Sequence, residues 1–183
     1  KADVLWITNP HNPTGQLWTK SSIESLLISY RLIICDEAFM SLTPGGEAQS
    51  VIPLTKKYKN LIVIRSLTKF LGVAGLRIGY AITNPDRLLE WERIRDPWPV
   101  NSLAINVTNM IMKDKKMQEK RLNKIHRWIE EEGKWLHNNL SEFCSLQPLP
   151  SNTNFQLVQS NISVLNLLEN LKKRGILLRD CRS

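Results

Sequence analysis

Residues 66–80, SLTKFLGVAGLRIGY, place two cations in a segment that is otherwise apolar and rich in glycine. Lys69 lies among apolar residues, and Arg77 follows eight positions later. The segment joins the apolar run NLIVIRS (60–66) to the run RIGYAIT (77–83). Runs of this kind are typical of buried strands, and glycine allows the backbone between them to turn tightly. The pattern therefore predicts two strands whose connection presents both cations.

Outward from this segment, the first half of the chain alternates between strand-like and helix-like stretches. Further strands are predicted at DVLWIT (3–8) and RLIICDEA (31–38), and helices at TKSSIESLLISY (19–30), EAQSVIPLTKKY (47–58) and PDRLLEWERIR (85–95). The strand runs are continuously apolar, which favours a sheet covered on both faces. The alternation predicts the α/β class with a layered sheet.

The pattern changes in the second half, which we interpret as a smaller α+β unit. Residues 102–140 are predicted to be mostly helical, with Trp128, Ile129, Trp135 and Leu136 at spacings that could line one buried face. The strand FQLVQ (155–159), the helix SVLNLLENLKKR (163–174) with Gly175 as its stop, and the strand ILLR (176–179) are predicted to follow. We place the domain boundary near residue 112, giving units 1–112 and 113–183.

Composition excludes several classes of protein. The sequence contains no run of 18 uninterrupted apolar residues, so it predicts no membrane span. The N-terminal residues do not have the pattern of a signal peptide. Three scattered cysteines fit a reduced, cytoplasmic protein and do not cluster with histidines as zinc ligands would. The net charge of +8 comes largely from residues 113–127, which we interpret as a solvated helix face rather than a nucleic-acid surface. Both ends of the chain look like cuts through a larger fold.

Polar residues follow each predicted strand of the first half. They belong to NPHNPTG (9–15), DEAF (36–39) and SLTK (66–69). Ligands of open α/β sheets bind at the carboxyl ends of the strands, so Asn12, Asp36 and Lys69 could converge on one cleft. Each residue alone also has a simpler interpretation, as a turn residue, a helix cap or an exposed lysine. Their order along the chain is what favours a shared site.

These three segments, with the extended string SLTKFLGVAGLRIGYAI, resemble the aspartate-aminotransferase-fold enzymes that use pyridoxal 5′-phosphate (PLP). The branches that look most similar are the histidinol-phosphate aminotransferases and the threonine-phosphate decarboxylases. The resemblance covers nearly the whole chain. It implies part of the large-domain sheet of that fold, plus a smaller C-terminal domain, in a protein that forms homodimers. Family members are considerably longer than 183 residues.

The resemblance gives the two cations separate roles. Lys69 would bond covalently to the PLP aldehyde, for which the amine must be deprotonated, and apolar surroundings favour the neutral amine. Arg77 would bind the cofactor's 5′-phosphate through its planar fork, together with the hydroxyls of Ser66 and Thr68.

Three further residues would contact the cofactor ring. Asp36 would pair with the protonated pyridine nitrogen, and Asn12 would hydrogen-bond the 3′ oxygen. Ala38 would lie flat against the ring, where a larger side chain would clash. Many family members have tyrosine immediately after this alanine, as a second donor to the 3′ oxygen. Here that residue is Phe39, which favours the decarboxylase branch.

The segments DPWPVNSLA (96–104) and GILLRDC (175–181) resemble the two branches as well, the second being closer to the decarboxylases. Arg179 is the candidate for binding the substrate's phosphate or carboxylate, and Asn101 is either a pocket residue or a helix cap. The resemblance implies decarboxylation of O-phospho-L-threonine to aminopropanol phosphate in cobalamin biosynthesis. The alternatives are a histidinol-phosphate-type aminotransferase, a non-catalytic PLP-fold module and an inactive fragment.

Overall fold

The computed structural model describes residues 2–181 and contains a four-stranded sheet in the order β1-β2-β3-β4. The strands are β1 (Val4–Thr8), β2 (Leu32–Asp36), β3 (Leu61–Ser66) and β4 (Gly79–Ile82). The first three are parallel, and β4 pairs antiparallel with β3. The predicted α/β class is therefore confirmed, and so is each of the four predicted strands.

One face of the sheet is covered by α1 (Lys20–Leu26) and by the segment that leads to β3. Thr19 caps α1, because its hydroxyl accepts a hydrogen bond from the backbone N–H of Ser22 at 3.1 Å. Ile23 of this helix packs against Ile33 and Val63, and all three side chains are fully buried. This is the main apolar core of the first half.

The segment between β2 and β3 does not form the helix predicted for residues 47–58. It forms two short 3-10 turns instead, Gly46–Gln49 and Ile52–Lys56, after an earlier one at Met40–Leu42. Pro53 has no backbone N–H, so an α-helix through this segment would lose a hydrogen bond there. The left-handed Gly45 also interrupts any continuous helix that approaches from β2.

The other face of the sheet is less covered than the sequence predicted. Trp6 is 57% exposed and Val4 50%. Helix α3 (Pro85–Ile94), which begins with the predicted Pro85, borders a groove on this face through Trp91. The prediction of a sheet buried on both faces is therefore wrong for the described residues, because their own helices cover only one face fully.

Residues 102–140 are helical as predicted, in two helices, α4 (Ser102–Lys113) and α5 (Lys115–Ser141). The predicted buried face of α5 is wrong: Trp128 is 58% exposed, Trp135 60% and Leu136 39%. Only Ile129 of that set is buried. It continues an apolar stripe with Leu122 and Ile125 at helical spacing, and the two tryptophans project away from that stripe.

The remainder contains a small antiparallel pair, β5 (Leu146–Pro148) with β6 (Val158–Ser160), followed by α6 (Leu165–Lys173). Gly175 ends α6 in the left-handed conformation, as predicted. The predicted strand at residues 176–179 is wrong: the segment joins no sheet, and Leu177 is 78% exposed. Strand β5 was not predicted, and the division near residue 112 stays a prediction. Within residues 2–181, no helix is both long and apolar enough to cross a membrane.

Candidate cofactor site

The carboxyl ends of the three parallel strands lie side by side. Thr8 pairs in register with Asp36, and Asp36 with Ile64. The alignment continues past the strands, since the Asn9 N–H donates to the Asp36 carbonyl at 2.8 Å and the Glu37 N–H donates to the Ile64 carbonyl at 2.8 Å. The three polar segments singled out in the sequence therefore begin at one edge of the sheet.

The NPHNPTG loop is fixed by Asn9, which sequence analysis missed. The Asn9 side chain is fully buried and binds the backbone of Trp18 twice, accepting from its N–H at 2.8 Å and donating to its carbonyl at 3.2 Å. Within the loop, His11 Nδ1 lies 2.8 Å from the Thr14 hydroxyl. Asn12 is exposed in the middle of this anchored loop. Its amide is therefore available to a ligand.

The DEAF segment turns away from the sheet immediately after β2. The Asp36 carboxylate accepts a hydrogen bond from the Ala38 N–H at 3.0 Å, which fixes the turn. Phe39 then contacts Phe155 edge to face, with ring centroids 5.1 Å apart. Lys69 Nζ lies 5.7 Å from the centroid of the Phe39 ring. Lys69 Nζ therefore lies near the side chain that follows Asp36 by three residues.

The Lys69 side chain is exposed, so the apolar surroundings predicted for it are wrong for the described residues. Lys69 belongs to α2 (Leu67–Leu71), in which the other four side chains are buried. Leu67, Phe70 and Leu71 pack in one cluster with Ile129 of α5, whereas the Lys69 side chain faces solvent. Arg121 of α5 holds the end of α2 by donating to the carbonyls of Phe70 and Leu71, both at 3.0 Å.

Three candidate phosphate ligands flank Lys69. The hydroxyls of Ser66 and Thr68 lie 2.7 Å apart at the start of α2. Arg77 is exposed and has a left-handed backbone with φ 50°, which non-glycine residues adopt rarely and at some cost in energy. Its Nη1 donates to the Ala74 carbonyl at 3.1 Å, and it forms no ion pair within residues 2–181. A guanidinium in this state can bind an anion.

The two substrate candidates have different surroundings. Asn101 is a helix cap: its side-chain oxygen accepts from the Ala104 N–H at 2.8 Å, and its amide donates to the Leu76 carbonyl at 3.2 Å. It therefore lies beside the Arg77 segment with its amide already engaged. Arg179 is exposed in the C-terminal segment, outside any helix or strand of the described residues.

A buried charge network next to the site was not predicted at all. Arg65 contacts Glu37 at 2.7 Å, with side-chain exposures of 7% and 0%, and binds Glu47 at 2.7 Å and 2.9 Å. Burial raises the pKa of the Glu37 carboxyl, and Arg65 acts in the opposite direction. For Arg65, burial acts to lower the pKa, but the hydrogen bonds to Glu47 and the charge of Glu37 raise it overall. Strand alternation places Glu37 and Arg65 on the face opposite Asp36 and Ser66, but it does not indicate that the two residues are buried or paired.

An α/β sheet whose strand ends carry an asparagine loop, an aspartate and an S-x-T-K turn defines a PLP-dependent enzyme of the aspartate-aminotransferase fold. The family described as "Aminotransferase class I and II" matches residues 1–183, so the chain belongs to this family, whose members use PLP.

Relatives and solved structures agree with this assignment. The chain is 34% identical to histidinol-phosphate aminotransferase 2 of Haemophilus influenzae over 98% of its own length and 48% of that protein's. It matches the crystal structure of histidinol-phosphate aminotransferase from Clostridium acetobutylicum with a TM-score of 0.87 and 31% identity, covering 98% of this chain and 54% of that one. It matches L-threonine-O-3-phosphate decarboxylase from Porphyromonas gingivalis with a TM-score of 0.83 and 26% identity, over 98% and 55%. The chain thus spans about half the length of these relatives.

The residues present fit PLP by their chemistry. A carboxylate, an amine without an ion pair among the described residues, two adjacent hydroxyls and an exposed guanidinium match a pyridine nitrogen, an aldehyde and a phosphate. The four groups belong to the edge of the sheet and to the turn that follows β3.

Proposed function

We propose that this chain supplies the PLP-binding edge of an enzyme that decarboxylates O-phospho-L-threonine. Lys69 would hold the cofactor covalently, and Ser66, Thr68 and Arg77 would bind its phosphate. Asp36 would pair with the ring nitrogen, while Asn12 would donate to the 3′ oxygen and Ala38 would lie against the ring. The contact of Lys69 with Phe39, which follows Asp36 by three residues, supports placing these groups in one site.

PLP, when bound, would supply a conjugated ring that accepts the electron pair released when a substrate Cα bond breaks. The protein's task is therefore to orient the substrate. A basic residue that anchors the substrate's phosphate, for which Arg179 is our candidate, would orient the substrate without holding its carboxylate. CO₂ then leaves, and Cα receives a proton. Lys69 Nζ would be suited to deliver this proton.

The observation that carries the choice of reaction is Phe39. Its ring is packed edge to face on Phe155 and carries no hydroxyl, so it cannot donate to the cofactor's 3′ oxygen as the tyrosine of many family members does. That difference favours the decarboxylase branch. The similarity to the Porphyromonas gingivalis decarboxylase supports the same branch.

The second candidate is transamination of histidinol phosphate. The Haemophilus influenzae and Clostridium acetobutylicum relatives favour it, since both are named for that substrate and match this chain at 34% and 31% identity. Both candidates use the same cofactor residues and a phosphorylated amino compound. They differ in the substrate, in which Cα bond breaks, and in whether the amino group is transferred to 2-oxoglutarate.

One assay separates the two candidates. The protein, expressed from its complete reading frame and loaded with PLP, is incubated with O-phospho-L-threonine and, separately, with histidinol phosphate plus 2-oxoglutarate. We expect CO₂ and aminopropanol phosphate from the first incubation and no glutamate from the second. Glutamate formed without CO₂ release would replace the decarboxylase proposal with the aminotransferase. We further propose that the protein is cytoplasmic and that it forms a homodimer. Sedimentation of the same preparation tests the homodimer.

A further inference from the structure

The buried Glu37–Arg65 pair links the two strand ends that carry the candidate cofactor residues. Glu37 follows Asp36 at the end of β2, and Arg65 precedes Ser66 at the end of β3. Neighbouring strand residues point to opposite faces of the sheet. The pair is therefore formed on the face opposite Asp36 and Ser66, by the residue next to each of them.

The link is short and almost completely satisfied. Arg65 Nε and Nη2 lie 2.8 Å and 2.7 Å from Glu37 Oε2. The other Glu37 oxygen accepts from the Val51 N–H at 2.7 Å, and the Ser50 hydroxyl donates to Oε2 at 2.8 Å. The far side of the Arg65 fork is held by both oxygens of Glu47. Neither partner of the pair can move without breaking several charge-assisted hydrogen bonds.

Stability alone is a weak reason for such a pair. Desolvation of two buried charges offsets most of their attraction, and apolar residues of similar volume often stabilise a fold as well or better. What a rigid pair held by several hydrogen bonds provides is geometry. It fixes the lateral position of β2 relative to β3 at the edge where Asp36, Ser66 and, one turn later, Lys69 are presented.

We infer that Glu37 and Arg65 are positioning residues for the cofactor: they set the separation between the Asp36 carboxylate and the Ser66–Lys69 turn. Neither residue touches the cofactor. The inference rests on the proposed function in one respect, namely that Asp36 and Lys69 bind PLP.

The test uses the protein from its complete reading frame in three forms: wild type, the double variant Glu37→Gln/Arg65→Met, and the control Glu24→Gln. The double variant removes the link and the buried charges but keeps an acceptor for the Val51 N–H. Glu24 also pairs with a lysine, Lys57 at 2.9 Å, but does so at the surface and away from the strand ends.

Two quantities are measured with PLP itself as the probe: its dissociation constant by titration of the apoprotein, and the wavelength of its bound visible absorbance band. We expect the double variant to fold with a circular dichroism spectrum like that of wild type. It should bind PLP about 10- to 100-fold more weakly, the loss seen when groups that orient a ligand's direct partners are removed. The absorbance band of bound PLP should shift, because the Asp36 carboxylate that pairs with the ring nitrogen and the Lys69 amine are no longer held at the same separation. Glu24→Gln should change neither quantity.

A folded double variant with wild-type affinity and an unshifted band would overturn the inference. If the double variant does not fold, Arg65→Lys decides by the same two measurements, since it keeps the buried charge and loses the bidentate fork. Wild type that fails to bind PLP would refute the proposed function instead. The positioning claim is then decided by amide hydrogen exchange at Ala38 and Lys69, which should be faster in the variant than in wild type while the core of β3 is unchanged. Equal exchange at Ala38 and Lys69 would reject it.

Discussion

Replacing Arg65 by methionine should destabilise the protein strongly, because the Glu37 carboxylate would stay buried without its cation. The Glu37 side chain is 0% exposed, and its oxygen lies 2.7 Å from Arg65. Breaking a buried ion pair by removing one partner costs about 3–5 kcal/mol. The Val51 N–H and the Ser50 hydroxyl still bind Glu37 in this variant. We therefore expect a loss near the lower end, about 3 kcal/mol in the free energy of unfolding.

The assay is a double-mutant cycle with Arg65→Met, Glu37→Gln and the two combined, in which urea unfolding of the apoprotein is followed by circular dichroism. Glu37→Gln removes the charge that Arg65→Met leaves stranded. The combined variant should therefore be more stable than Arg65→Met alone, and the interaction free energy between the two sites in the cycle should be about 1–3 kcal/mol, as expected of residues in one network. A cost for Arg65→Met below about 1 kcal/mol, or strictly additive effects, would refute the buried pair.

The same variant should show an altered pH dependence. Burial raises the pKa of the Glu37 carboxyl above its ordinary value of 4.5, and Arg65→Met removes the cation that opposes this rise. Between the unfolded and folded pKa values, the folded state then holds a proton that the unfolded state has released. The stability that this bound proton contributes to the folded state is present below this pH window and is lost as the pH rises through it. Arg65→Met should therefore regain stability, relative to wild type, when the pH is lowered from neutrality toward 5. A constant difference across this range would contradict the account.

Three further outcomes are expected. Lys69→Ala should abolish the visible absorbance band of bound PLP. Arg77→Ala should keep the band at saturating PLP and weaken PLP binding by about 2–3 kcal/mol, the contribution of a hydrogen bond to a charged group. Retention of the band in both variants would rule out these roles. Cys35 is fully buried, and burial is the main cause that raises the pKa of its thiol. It should therefore react with a thiol reagent only after unfolding, whereas the two exposed cysteines should react at once. Three fast-reacting thiols would contradict this. Gly79→Ala should lower the free energy of unfolding by about 1–3 kcal/mol as an overpacking change, because the new Cβ would lie 2.7 Å from a backbone carbonyl oxygen of β3. The measurement is urea unfolding, and the matched control is Gly75→Ala, whose Cβ would have no atom within 4 Å.

The sequence predicted those parts of the fold that depend on local pattern. All four strands of the sheet follow apolar runs, and the caps at Thr19 and Gly175 follow from the chemistry of those residue types. The convergence of the strand ends followed from the rule that parallel strands present their carboxyl ends at one edge. The register, in which Asp36 lies between Thr8 and Ile64, agrees with that rule.

The errors arose where burial depends on what else packs nearby. Trp128 and Trp135 have the residue type of a core, but α5 contacts the rest of the protein along a different stripe. The apolar neighbours of Lys69 are buried, yet on a single helical turn they point away from it. The Glu37–Arg65 pair joins residues 28 positions apart, and neither residue carries a local signal that it is buried. Sequence periodicity does not encode such partners.

The central claim is that Lys69 is the residue that binds PLP, at the strand edge shared with Asp36. It is tested most directly by adding PLP to the protein from its complete reading frame, reducing the bond with borohydride and mapping the modified lysine by peptide mass spectrometry. The account predicts one phosphopyridoxyl group, on the peptide that contains Lys69. A modification at another lysine, or none at all, would contradict it.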